Sequence, residues 1–587
     1  MSQLALSCRF LVVAALVTAL AACSHPAPKA PLPEQGPPPS ALPATADHPP
    51  APAKAPAADP FAAIDAAGKA ITAEVLRDQI TRISSDDFEG RGPTTRGDRA
   101  IRAYLIDQLK ALGYEPGGGG DAWEQPFDVV GTKAAMPPTW TFSRGGKSLA
   151  MTWWNQYMAA SGVQTARGAI KNAEVVFVGY GIQAPEYGWD DFKGKDLHGK
   201  VLLMLNNDPD WDPAIFAGTT RLFYGRWDYK YESAARQGAA GAIIIHTTAS
   251  AGYPFQVVQT SWSGERFELP ADGAPRIQVK GWLTEDAARA LVTLAGRDLT
   301  ALIEAARHKE FAPVPLGITT SMSFTNQVSH GTTANVFGLL RGTDPVLGKE
   351  LVVYSAHHDH LGIGKPDASG DKIYNGALDN ASGCAQVLAI ARAFHALPAP
   401  PRRSVLILFV AGEEQGLLGS AYFAAHPIVP SGKIAVDINY DGGDIWGKTR
   451  DVTYVGKGKT TLDPLVDEVA AHQGRVVKPD QFPDRGHFYR SDQFSFARAG
   501  VPGLYLGTGT DFIGRPAGWG REQIERYEGS HYHQPSDQLQ PDWNFDGMIA
   551  DAQLGFAVGV RIAGADQLPG WVPGDEFEAA RKAALLR

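Results

Sequence analysis

Apolar residues recur at i, i+3, i+4 and i+7 in two early segments, Ile71–Ser84 (ITAEVLRDQITRIS) and Arg96–Tyr114 (RGDRAIRAYLIDQLKALGY). That spacing predicts two amphipathic helices. Gly113 closes the second, ahead of a Gly-rich turn at 117–120. From about Val130 to Gly317 the pattern becomes short apolar runs between aromatic and Gly/Pro-rich loops, as in AEVVFVGYGI, GKVLLML and GAAGAIIIH. These predict a mixed α/β or β-rich unit. After Thr319, apolar runs alternate with helical patterns. ELVVYSA (350–356), SVLILFVA (404–411), KIAVDINYD (433–441) and GVPGLYLG (500–507) read as strands. NASGCAQVLAIARAFHAL (380–397), GLLGSAYFAAH (416–426) and TLDPLVDEVAAHQG (461–474) read as helices. The alternation predicts an α/β fold with a mostly parallel, helix-flanked sheet.

The first 60 residues fall outside that fold. Arg9 precedes the apolar run Phe10–Cys23, which is short for a membrane span and suits a secretory segment. Leu20-Ala21-Ala22-Cys23 resembles a bacterial lipobox, which implies a signal peptide at 1–22 and lipidation of Cys23. Ser24 after the cysteine favours the outer membrane, facing the periplasm, by the usual sorting rule. Residues 23–60 are Pro/Ala-rich and read as an extended tether. The only membrane contact expected is through that lipid anchor.

Composition narrows the partners. The chain has 587 residues, a net charge of −9 and no long Lys/Arg run, so nucleic acid is not an expected partner. Three cysteines (Cys8, Cys23, Cys384) build neither a disulfide framework nor a thiolate metal site. Cys384 lies in an apolar helical pattern and is expected to be packed inside.

The candidate chemistry sits where the later strands end. ELVVYSA runs into His357 and Asp359, SVLILFVA into Glu413 and Glu414, and KIAVDINYD ends at Asp441. Asp379 stands at the start of a helix in NGALDNASG, and His533 lies in the loop GSHYHQPSDQ. Ligands of parallel α/β sheets bind outside the carboxyl ends of the strands. Taken singly, Asp379 reads as a helix cap, Glu413-Glu414 as a solvated face and His533 as an ordinary loop residue. Strand alternation puts His357 and Asp359 on one side and His358 on the other. Together, two imidazoles and three carboxylates at one sheet edge suit a pair of zinc ions, with manganese or cobalt as alternatives.

AHHDHLG, GALDNASG, AGEEQGLLGS, INYDGGD and YHQPSD occur in that order. They resemble the co-catalytic zinc exopeptidases of the bacterial aminopeptidase and glutamate carboxypeptidase type, metallopeptidase clan MH. The segment FVGYGI…YGWDDFKGKDLHGKVLLMLNNDP, followed by AARQGAAGAIIIH, resembles a protease-associated domain. The implied organisation is a catalytic domain at 61–130 and 318–587, interrupted by a protease-associated insert at 131–317 that carries no chemistry of its own.

The resemblance implies that Asp379 bridges two metals. His357 and Asp441 would complete one site, and Glu414 and His533 the other. Glu413 would be the general base, Asp359 would orient His357, and Tyr532 would assist the substrate carbonyl. It also implies a cis peptide at Asp379–Asn380. Two positions depart from the family pattern: Leu378 stands where a second acid is frequent, and Gln493 where a histidine is common. The loop 507–530 is long for the minimal enzyme and is expected to shape the cleft mouth. His360 receives no role, and His358 is expected to pack or to hydrogen-bond.

The implied function is an aminopeptidase acting on peptides. A carboxypeptidase or dipeptidase remains open, since Arg485, Arg490 and Arg521 could receive a substrate carboxylate. A glutaminyl-cyclase-like single-zinc transferase and a non-catalytic, receptor-like binding protein are further alternatives.

Overall fold

The computed structural model describes residues 59–586. Cys23, the secretory segment and most of the tether lie outside the described residues. Among the described residues, no helix is long and apolar enough to cross a membrane.

Both early helices form where the periodicity places them, as Ala73–Ile83 and Arg96–Ala111. Each starts at a threonine whose hydroxyl accepts a free N–H of the first turn: Thr72 from Val75 (3.2 Å) and Thr95 from Asp98 (3.3 Å). Leu76, Ile80 and Ile83, with Ile101, Leu105 and Leu109, form their buried stripes.

The sheet that carries the candidate residues has four neighbouring parallel strands, in the order Ser404–Val410, Leu351–His357, Ile434–Asn439, Gly503–Gly507. Asp451–Val455 adds antiparallel to the last of these, and Val476–Pro479 adds parallel to Asp451–Val455. The first three central strands are buried at every position, as expected for a sheet covered on both faces. Helix Ser382–His395 lies in that cover and is nearly wholly buried, with Cys384 facing the interior. Helix Asp546–Gly564 packs very close. A Cβ on Gly559 would stand 1.8 Å from the Tyr354 hydroxyl, and one on Gly555 would stand 1.9 Å from the Tyr440 hydroxyl. Tyr354 uses that approach to donate to the Gly555 carbonyl at 2.9 Å.

Residues 131–317, the insert, contribute apolar clusters of their own. The insert's strands Val201–Leu205, Gly241–His246 and Val279–Thr284 run parallel, and Tyr157–Ser161 pairs antiparallel to the last. Trp140, Phe142, Val175, Leu203, Ile243 and Leu291 lie in one of its apolar clusters. One strand, Val314–Leu340, joins the two parts. Its start pairs with Arg167–Phe177 of the insert, its middle with Glu124–Ala135, and its end with Ser404–Val410. The insert is therefore continuous with the sheet of candidate residues through backbone hydrogen bonds, and it approaches the strand ends where those residues lie.

Candidate metal centre

Three local structures present the side chains. Strand Leu351–His357 ends on His357, and Asp359 follows in the loop. Past strand Ser404–Val410, Gly412 turns the chain at φ +72°, and Glu413–Gln415 make a single helical turn. Asp441 lies two residues past strand Ile434–Asn439. Asp379 occupies an irregular turn before helix Ser382–His395, and its peptide with Asn380 is cis. Asp379 does not cap that helix. Asn380 does the local work instead: its Oδ1 accepts Gly383 N–H (2.9 Å) and Gly442 N–H (3.0 Å), tying the Asp379 turn to the Asp441 turn.

Further groups fix these loops. Asp537 accepts the N–H groups of Leu378 (2.9 Å) and Asp379 (3.1 Å). The buried Arg91 donates to the carbonyls of His358 (2.9 Å) and Gly376 (2.9 Å), joining the His357 strand end to the Asp379 turn. His358 points away from the centre and meets the Ala334 carbonyl at 3.1 Å.

The side chains converge in two clusters that share Asp379. In the first, His357 Nε2 lies 3.2 Å from Asp379 Oδ1 and 3.3 Å from Asp441 Oδ1. In the second, His533 Nε2 lies 3.2 Å from Asp379 Oδ2 and 3.1 Å from Glu414 Oε2. His360, with Asp379 and Glu414, makes up the second group whose ligand atoms lie close enough to share an ion, and its Nδ1 stands 2.6 Å from Glu414 Oε1. Sequence reasoning gave His360 no part here; it lies past the strand end, where alternation no longer indicates direction.

The residues fit divalent cations. The buried His533 Nε2 has no hydrogen-bond partner among the described residues, although the Asp379 and Glu414 carboxylates face it. Lone pairs of imidazoles and carboxylates pointing at common centres form a donor set for a metal. The electrostatics agree. Burial disfavours charge on His533, yet Glu414 and Asp379 raise its pKa to about 9; burial also opposes ionisation of Glu414, yet His533 helps hold it at about 2. Positive charge is strongly favoured between these carboxylates, and a bound cation supplies it without a proton on the imidazole.

Glu413 differs from Glu414 despite the shared turn. Burial, with Glu414 and Asp441 adding repulsion, holds its carboxyl well above the usual carboxylate range, against the pull of His357. It lines the cleft with Asp379, Asp441, Tyr505 and Tyr532. The Tyr532 hydroxyl accepts a hydrogen bond from Arg490 Nη2 at 3.1 Å. The Asp359 carboxylate accepts Glu413 N–H at 3.1 Å, and one of its oxygens stands 3.7 Å from His357 Nδ1.

Sequence reasoning did not find Ser261, whose hydroxyl lies 2.8 Å from His533 Nδ1. Nothing in the spacing of the insert signals that contact, which spans 272 positions.

Residues 335–557 match the profile of peptidase family M28. Among curated proteins, a vacuolar membrane protease from Verticillium alfalfae is 37% identical over 83 residues, 14% of this chain, and the match spans 7% of that protein's length. Among solved structures, the aminopeptidase from Aneurinibacillus sp. strain AM-1 is 18% identical. The alignment covers 86% of this chain and 97% of that one, with a TM-score of 0.51, and shows a shared fold. A peptidase M28 precursor from Shewanella amazonensis SB2B is 18% identical over 86% of this chain and 97% of its own, with a TM-score of 0.45.

Proposed function

We propose that this chain, a metal-dependent hydrolase by virtue of its peptidase family M28 domain, is a two-zinc exopeptidase that removes residues from the amino termini of peptides. His357, Asp379 and Asp441 would hold one ion, and Asp379, Glu414 and His533 the other. When bound, the ions supply Lewis-acid polarisation of the scissile carbonyl and of the attacking water. Glu413 accepts the proton of that water as its oxygen adds to the carbonyl carbon, then delivers it to the amine nitrogen as the C–N bond breaks. Tyr532, with Arg490 bonded to its oxygen, keeps its proton free to donate to the developing oxyanion. Burial holds the Tyr532 hydroxyl well above its ordinary pKa, so it serves as a donor.

Charge pairing around the cleft carries the aminopeptidase reading. Arg485 is paired with Glu528 and Glu525, and Arg521 with Glu525. Two of the three arginines that could take a substrate carboxylate are thus neutralised. With Glu413 committed as base and Asp441 as ligand, Asp480 is the cleft-wall carboxylate that faces an α-ammonium group, with His487 3.2 Å from it. Burial opposes ionisation of Asp480, yet neighbouring cations, His487 foremost, hold its pKa below the usual value.

One observation favours a carboxypeptidase or dipeptidase instead. Arg490 pairs with no carboxylate among the described residues. It lines both the main cleft and an adjoining cavity where Arg221 and Arg266 of the insert also stand. Cleavage of free-amine, N-acetylated and C-terminally amidated forms of one short peptide separates the readings. The aminopeptidase reading expects loss of cleavage on acetylation only; loss on amidation only overturns it.

Export and lipid anchoring at Cys23 are proposed from the sequence alone.

A further inference from the structure

The insert reaches the second cluster by a specific path. Helix Phe255–Ser261 ends against the loop that carries His533. Gln256 Nε2 donates to Gln534 Oε1 at 3.0 Å, and Ser261 Oγ lies 2.8 Å from His533 Nδ1. Strand Arg266–Glu268 then meets the other ligand loop of the same cluster. Phe267 N–H donates to Gln415 Oε1 at 3.1 Å. Arg266 Nη1 donates to the Ser261 carbonyl at 2.9 Å and approaches the Glu414 carbonyl at 3.4 Å. The insert thus grips both loops that bring Glu414 and His533 together, and no insert contact of this kind reaches His357 or Asp441 among the described residues.

We propose that Ser261 is a positioning residue for His533, so that the insert completes the Asp379–Glu414–His533 cluster and governs how tightly it holds its ion. The proposal rests on the reading of His533 as a metal ligand.

His533 needs such support. Its backbone has φ +56°, a left-handed conformation that costs a non-glycine residue energy and persists only where the surroundings over-determine it. For Nε2 to offer a lone pair toward Asp379 and Glu414, the ring proton must sit on Nδ1. Nδ1–H then donates to Ser261 Oγ, which selects the tautomer and fixes the ring plane. Ligating histidines generally use their second nitrogen in this way, and losing the partner typically weakens metal binding roughly 10- to 100-fold. Here the partner comes from the insert, and Ser261 Oγ makes no other hydrogen bond among the described residues. Coupling of this kind is reciprocal: an ion in the second cluster favours the docked insert, and a docked insert favours the ion.

The test measures Zn²⁺ retention by the full chain against a chromophoric chelator, in wild type, Ser261→Ala, Ser261→Thr and His533→Ala, with the thermal midpoint of each metal-free protein as a check on folding. The expected result is that S261A holds one Zn²⁺ roughly 10- to 100-fold more weakly, that S261T stays near wild type because its hydroxyl persists, and that the metal-free midpoints coincide. H533A should lose that same ion outright. If H533A retains it with wild-type affinity, the ligand reading itself fails. If H533A loses it while S261A matches wild type, the ligand reading stands and the positioning role of Ser261 is overturned. Equal weakening of S261A and S261T also overturns it.

Discussion

Asp359 accepts the backbone N–H of Glu413 at 3.1 Å, so the carboxylate beside the first-cluster histidine also fixes the turn that carries the candidate base. The resemblance assigned Asp359 to His357 alone. Its carboxylate stands farther from His357 Nδ1 (3.7 Å) than from that amide, and the Asp359 carbonyl is nearer to Nδ1, at 3.3 Å. Asp359→Asn puts an amide where the Glu413 and Glu414 N–H groups need acceptors. It should lower kcat roughly 10- to 100-fold and weaken metal retention by a similar factor. Steady-state kinetics at saturating Zn²⁺ checks this: full recovery of kcat there would confine Asp359 to the metal side.

Glu413→Gln keeps the shape of the turn and removes the proton acceptor. Zn²⁺ content should match wild type while kcat falls by roughly 10²- to 10⁴-fold. Turnover near wild type in this variant contradicts the assignment of Glu413 as base.

Arg490→Ala removes the donor to the Tyr532 oxygen at 3.1 Å. For an aminopeptidase, the expected change on a free-amine peptide nitroanilide is a lower kcat with little change in KM, because the Tyr532–oxyanion contact forms only in the transition state. A rise in KM with unchanged kcat, seen only for peptides with a free carboxylate, points to substrate-carboxylate capture instead.

Strand Arg266–Glu268 carries a pH-dependent element of its own. Burial would raise the pKa of Glu268, but Lys280 and Arg276 override it and hold the carboxyl at about 2. The unfolded chain takes up that proton near the ordinary value of 4.5, so the stabilisation is full above that pH and is lost as pH falls from there through about 2. Between pH 6 and pH 3.5 the wild type should lose roughly 1 kcal/mol of unfolding free energy that Glu268→Gln does not. Denaturant titrations at the two pH values measure it, and parallel losses in both proteins contradict it.

The sequence disclosed the parts of the centre that follow from strand ends. His357, Glu413, Glu414 and Asp441 lie at or just past buried apolar runs, whose alternation and length are local properties. The two early helices were legible for the same reason, although their threonine caps, Thr72 and Thr95, emerged only from the structure. Contacts made by distant segments left no such trace. Arg91 is one: a charged residue after the first helix, it is buried against carbonyls more than 260 positions away. Asp537 is another; it holds the Asp379 turn from a loop in which only His533 and Tyr532 stood out. His360 was set aside because it lies beyond the strand, yet the loop folds it back onto Glu414. Ser261 shows the limit most clearly. A hydroxyl at the end of a short helix in the insert has no periodicity or motif to mark it, and only the docking of the insert brings it to His533.

Asp379 joins the two clusters, since its two oxygens face different imidazoles at 3.2 Å each. Metal analysis of the purified wild type and of Asp379→Asn tests it most directly. The account predicts two equivalents of divalent metal in the wild type and fewer than two in the variant, with loss of peptide hydrolysis. Two full equivalents in Asp379→Asn would contradict it.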